Sequence, residues 1–206
     1  PQLTVARLKS CAAPFSAVWL APVASALGDK PVFFANDRFG ALVRLRLGAP
    51  VLPAPSPCVL CSRGLVADVF GAHSLCCLGT GLRARLHNEV RKQVHLLASR
   101  AMMAPTLEAR VGSSAATANL RVDVLLRDGC EPFRGIAVDV SLVWPLQRAF
   151  VAAAASSPGG AATAAEAAKR LKYGPACEAA GMKLVPLQAL PGAPDFIIDE
   201  AYFANR

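Results

Sequence analysis

The sequence predicts an α+β domain of the α/β class, and three observations carry that prediction. Two stretches, 120–126 and 136–143, alternate apolar and polar residues with period 2, as half-buried strands do. Leu82, Leu86, Val90, Val94 and Leu97 recur at helical spacing and form one apolar stripe. Beyond the second strand, an Ala-rich helical pattern over 161–180 leads through Gly181 into a third strand-like run at 183–187.

The strand pair organises the rest. Asp128-Gly129 opens the connection, and Pro132 and Gly135 interrupt it, which suits a loose hairpin. A turn centred near Glu131 sets Asp123 opposite Asp139, on the face that also carries Arg121 and Leu125, Ala137 and Ser141. Adjacent carboxylates repel, and each is costly to bury alone. A divalent cation removes both problems, so the pair points to a hard-metal site for phosphate chemistry. The plainer alternative is two exposed strand positions with salt-bridge partners such as Arg121 and Arg134.

Composition narrows the class. The 206 residues allow one ordinary domain with an appendage, and 54% are hydrophobic, which excludes global disorder. A net charge of +8 and a pI near 9.5 favour a polyanionic partner. Seven cysteines, four of them within 58–77, argue for metal ligation in a reducing compartment, nuclear or cytoplasmic, over a secreted disulfide framework. The apolar run 11–27 is interrupted by Pro14 and Pro22 and is too short for a bilayer. It reads as a buried or amphipathic helix, with no signal peptide and no membrane anchor. A start at Pro1 without Met is expected of a piece of a longer chain.

Along the chain, residues 1–49 form an N-terminal helical segment. It has short helices around Trp19 and Leu20, then one capped by Asn36 or Asp37 and ended by Gly48. Four prolines within 50–57 make a stiff linker. Residues 58–79 then read as a zinc knuckle: Cys58 and Cys61 two residues apart, eleven residues, His73, three residues, Cys77, with Cys76 as an alternative to Cys77. Two such pairs close a tetrahedral zinc site, and four protein ligands make it structural. The rest, 80–206, forms the main domain.

Its first helix, capped by Thr80, carries Arg85, Asn88, Arg91, Lys92 and His95 away from the apolar stripe. That side is either a solvated face or a surface that follows nucleic-acid phosphates. His87, at the stripe's edge, suits packing or hydrogen bonding. The stretch 152–165 is of low complexity, and Ser156-Ser157-Pro158-Gly159-Gly160 predicts a flexible loop at its centre. Gly174-Pro175 is a potential break in the following helix, where Glu166, Lys169, Arg170 and Tyr173 share a face. A short helix over 195–206 ends the chain.

The order of these motifs resembles a known assembly: the knuckle ending in His73-Ser-Leu-Cys-Cys77, then Leu86-His87-Asn88, Arg121-Val122-Asp123, Val138-Asp139-Val140 and Lys169-Arg-Leu-Lys172-Tyr173. It is similar to the restriction-like endonuclease region at the C-terminus of non-LTR retrotransposon polyproteins and of related reverse-transcriptase-like reading frames. The resemblance spans about residues 37–187. It implies a PD-(D/E)XK core, a mixed sheet flanked by helices, that cuts DNA with Mg2+ as part of a polyprotein containing a reverse transcriptase. Asp123 and Asp139 then correspond to the two metal-binding acids. Ser141 stands where the strand signature has lysine, so the resemblance puts that role on the next helix, on Lys169 with Lys172 in reserve. Glu108 is a further ligand or water-orienting group under the same resemblance. Val122 replaces the usual Pro, Leu86 the usual Arg, and the Ala/Gly stretch lengthens the path from Asp139 to Lys169.

The chemistry agrees with this implication. Phosphodiester hydrolysis needs an activated water, a clamp on the phosphoryl oxygens and stabilisation of the leaving oxygen, all of which Mg2+ on two Asp residues can serve. Two alternatives stand beside an active nuclease. One is a catalytically inactive module that binds DNA or RNA through the knuckle and the basic helix. The other is a purely structural domain of a larger polyprotein.

Overall fold

The computed structural model describes residues 2–12, 36–58, 64–73, 77, 81–112 and 119–189. Its elements are α1 (Gln2–Cys11), α2 (Asn36–Leu47), β1 (Ser56–Pro57), β2 (Val66–Ala67), α3 (Leu82–Arg100), β3 (Thr106–Arg110), β4 (Arg121–Leu126), β5 (Gly135–Leu142), α4 (Val151–Ser156), α5 (Gly160–Ala179) and β6 (Met182–Ala189). The described residues divide into two units, one within 1–83 and 144–164, the other within 84–143 and 165–189. Trp19, Leu20, Cys61, Cys76, Thr80 and the expected helix over 195–206 lie outside the described residues.

The second unit holds a four-stranded mixed sheet in the order β3-β4-β5-β6, antiparallel except for the parallel pair β5–β6. The hairpin has the expected register: Val124 pairs with Val138, so its centre of symmetry falls at Glu131. The tight pairing requires Gly135, because a Cβ there would lie 2.8 Å from the Leu126 carbonyl oxygen. A parallel neighbour needs a crossover, and α5 supplies it. Pro186, which has no N–H to donate, is tolerated because β6 is an edge strand.

Helices cover both faces of the sheet. Val90, Val94 and Ala98 of α3 pack on Val124, Leu126, Ile136, Val138, Val140 and Leu142. Tyr173, Ala176 and Cys177 of α5 pack with Leu125, Ala137, Leu184, Ala109, Val111 and Val122. Burying a large aliphatic side chain stabilises by about 1.5–3 kcal/mol, so these two layers dominate the unit's stability.

Three local expectations change. β3 is an additional strand; its mostly exposed TLEAR sequence has too little alternation to announce an edge strand. The stretch expected to hold a flexible loop is helical over Val151–Ser156, and only 157–159 turn before α5 begins. Alanine's helix propensity outweighs the low complexity there, and Gly160 permits the corner, since a Cβ would sit 2.0 Å from the Ala153 carbonyl. Finally, α5 runs unbroken through Pro175. Packing of the flanking Tyr173, Ala176 and Cys177 offsets the hydrogen bond that proline cannot make.

In the first unit, α1 packs on α4, and Lys9 donates from Nζ to the Ser156 carbonyl at 2.6 Å. β1 pairs with β2, and the Val51 and Leu52 N–H groups both reach the Val69 carbonyl. The Pro-rich stretch is therefore folded against the segment that follows it.

Candidate functional site

Among the described residues, each unit contains a cluster of chemically capable side chains. In the first, Cys58 directly follows β1, and its N–H bonds the Leu65 carbonyl at 2.8 Å and closes the short ribbon. After β2, the Asp68 carboxylate accepts three backbone N–H groups: Phe70 at 3.0 Å and Ala72 at 3.2 Å on Oδ1, His73 at 2.8 Å on Oδ2. Burial pushes the Asp68 carboxyl up, but these N–H groups together outweigh it and hold the group below its ordinary value. The turn they fix presents His73. The ligand atoms of Cys58, His73 and Cys77 all lie within 4.8 Å of one another, a group that could hold a metal ion. Their two sulfurs are 3.7 Å apart. That is too far for a disulfide, and thiolates at about 2.3 Å from a tetrahedral zinc are themselves about 3.8 Å apart.

In the second unit, the two central strands part. β4 and β5 pair only from Leu126↔Ile136 to Val124↔Val138, while β4 stays with β3 to Arg121 and β5 with β6 to Leu142. Asp123 and Asp139 stand one residue past the last pair, at the mouth of this fork. Neither is an exposed strand position: Asp123 is 9% and Asp139 3% exposed, and their partners are not Arg121 or Arg134.

Asp123 Oδ2 accepts the Val140 N–H at 2.6 Å and faces His87 Nε2 at 3.2 Å. That N–H joins Val140 to Asp139, so the Asp123 carboxylate reaches within about 5 Å of the Asp139 Cα. Burial raises the Asp123 pKa, but His87, the Val140 N–H and the more distant charge of Lys169 together hold it below its ordinary value. His87 moves the other way. The hydrogen bond to Asp123 raises its pKa, against the opposing effect of burial.

Asp139 forms an ion pair with Lys169 Nζ, and both Lys169 and, to a smaller extent, Tyr173 favour its charged form. Burial nevertheless dominates, and with the nearby Asp123 charge it lifts the Asp139 pKa above its ordinary value. Lys172 takes a different direction, donating from Nζ to the Tyr173 hydroxyl at 2.9 Å. Of the two candidate lysines, Lys169 is the one in contact with the acid.

The simple one-face picture of the aspartates is corrected. Val122 packs in the α5-side cluster and Val124 in the α3-side cluster, so strict alternation breaks at Asp123. Glu108, the residue opposite it in register, is absent from the β3–β4 pairs and has φ of 52°. A local kink thus lets Asp123 meet α3 through His87 while Asp139 meets α5 through Lys169. The acids are held from both sides of the sheet.

Other expected site residues lie elsewhere. The Glu108 carboxylate is engaged by Arg91, not by the aspartates, and its side chain is half exposed. This pairing takes Arg91 out of the expected phosphate-following row, and Asn88 is half-buried. Arg85 is exposed, and Lys92 pairs with Glu89 at 2.8 Å. His87 and Tyr173 are site members that the sequence placed on the right helices without a role at the acids. Their helical spacing to Val90, Val94 and Lys169 was the available signal. No helix among the described residues is long and apolar enough to cross a membrane. No protein-family model, curated protein or solved structure matches the chain.

Proposed function

We propose that the forked sheet edge is the active site of a Mg2+-dependent DNA endonuclease with a restriction-endonuclease-like core. The observation that carries this reading is the pair of buried aspartates where β4 and β5 part, one with a pKa that burial has raised despite a lysine partner. Such a donor set gains from a hard cation, which favours the ionised carboxylates.

Asp123 and Asp139 would hold the ion, a number of carboxylates that suits Mg2+. Bound there, the ion supplies electrophilic stabilisation of phosphoryl oxygens and a more acidic water. The Lys169 ammonium, already paired with Asp139, steadies the attacking water or the negative charge that develops on phosphorus-bound oxygen. Tyr173 supports Asp139 and lies under the Lys169 ammonium, 5.5 Å from ring centroid to Nζ. The net charge of +8 suits a polyanionic substrate.

We assign Cys58, His73 and Cys77 to a structural zinc ion, supported by the sulfur separation, with Cys61 as the fourth ligand and Cys76 as the alternative to Cys77. The resemblance to retroelement polyproteins places a reverse transcriptase in the same parent protein as part of this proposal.

A second reading has its own support, because each aspartate already has a basic side chain of the protein beside it. A nuclease-like domain retained only to bind nucleic acid would keep both pairs for stability. Cleavage and affinity measured on wild type and Asp123→Ala separate the two. The endonuclease reading expects Mg2+-dependent nicking that the substitution abolishes; salt-sensitive binding by both proteins, with nicking by neither, would replace it with the binding module.

A further inference from the structure

We propose that His87 is a positioning residue, which locks the Asp123 carboxylate through Oδ2 and presents Oδ1 to the cation. This rests on the reading of the aspartates as a cation site and adds a part for a residue outside the ligand set.

The geometry is specific. Two donors from different elements converge on one oxygen: the β5 backbone N–H of Val140 at 2.6 Å and His87 Nε2 at 3.2 Å. Together they fix both the position of Oδ2 and the rotation of the carboxyl plane. Oδ1 is left as the oxygen for an incoming ligand. Only proline at 140 would remove the backbone donor, whereas any non-donating side chain at 87 removes the imidazole, so His87 is the adjustable half of the clamp.

His87 is itself held. It lies three and seven residues before Val90 and Val94, which are buried in the core, so the helix face that carries it is fixed against the sheet. One turn on, Arg91 engages Glu108 of β3. Two polar side chains of α3, His87 and Arg91, are thus directed onto the two strands that flank the kink. Mg2+ demands near-ideal octahedral geometry, so freedom in one carboxylate costs affinity directly. Groups that orient ligands from outside the coordination sphere typically contribute about 10–100-fold in metal affinity.

The test is Mn2+ binding, followed by electron paramagnetic resonance on the zinc-loaded full chain at constant pH, for wild type, Asp123→Asn, His87→Ala and His87→Gln. Thermal unfolding is measured on each. Wild type is expected to show a site that Asp123→Asn removes. His87→Ala should weaken it by about 10-fold or more, and His87→Gln should restore most of the loss, because its amide nitrogen can donate to Oδ2. Equal binding by His87→Ala and wild type overturns the positioning role and leaves the cation site standing. Equal weakening in Ala and Gln, tracking a lower Tm, also overturns it, by showing that the ring only packs. Absence of any Asp123-dependent Mn2+ site in wild type overturns the cation reading, and the role of His87 with it.

Discussion

The two clusters are held by opposite means. Among the described residues, the buried hydrophobic side chains of the first unit are Ala6, Ala67, Cys77, Ala154 and Ala161. All of these described side chains are small, and the segment that carries Cys58, His73 and Cys77, about 20 residues long, is too short to build a core of its own. The aspartates stand on a sheet whose residues Val124, Leu125, Leu126, Ile136 and Ala137 are at most 2% exposed. In the first cluster, a metal would create the local structure; in the second, the structure exists first and confines charges that a metal would relieve. Ligand spacing in sequence is therefore informative for the knuckle, while the acid site depends on how a packed sheet bends.

Removing metal should show this contrast most strongly. Structural zinc contributes apparent binding energies on the order of 10 kcal/mol in small modules. Stripping the ion, or Cys58→Ser, is expected to abolish hydrogen-exchange protection around residues 56–73 while amides of β4 and β5 stay protected. Loss of protection in both places at once would mean that the two regions are not independently supported.

Leu126→Ala is the converse experiment. Leu126 is fully buried, and such a truncation costs about 2–5 kcal/mol. Denaturant unfolding should register this loss with zinc stoichiometry unchanged. A smaller effect belongs to Asp68→Ala, which frees three N–H groups of the turn bearing His73. By analogy with lost helix caps it should cost about 0.5–2 kcal/mol, read as weaker Zn2+ or Co2+ affinity with the sheet unaffected. An unchanged affinity would remove Asp68 from the support of the knuckle.

The subtlest effect is the pH dependence of the second unit. The folded pKa of Asp123 lies below its ordinary 3.8, so its contribution is present above that value and lost as pH falls through the folded pKa. The folded pKa of His87 lies above 6.5, so its contribution is full below 6.5 and lost as pH rises through the folded pKa. Wild-type Tm should consequently decline more than that of His87→Ala between about pH 6 and about pH 9. Parallel pH profiles would show that the pair does not contribute to stability.

Much of the sheet was legible because two strong patterns agreed: period-2 alternation fixed the faces of β5, and Asp128-Gly129 with Gly135 bounded a turn that set the register. The α3 stripe was legible for the same reason, through Val90 and Val94. What escaped depends on long-range geometry. β3 is an edge strand whose single buried residue is Ala109, so no local pattern marks it. The flip at Asp123 needs Glu108 in a left-handed conformation, which no residue preference announces. Arg91 looked like part of a solvated face, and His87 like a packing or hydrogen-bonding residue without a named partner, because their partners, Glu108 and Asp123, are separated from them in the chain and become visible only once β3, β4 and α3 are packed.

The most direct measurement is anomalous scattering from a crystal of the full chain soaked in Mn2+. The expected result is an ion at the fork ligated by Asp123 Oδ1 and an Asp139 oxygen, at about the 2.1 Å typical of small hard cations. An empty fork at saturating Mn2+, with the His87–Asp123 and Lys169–Asp139 pairs unchanged, would contradict the account.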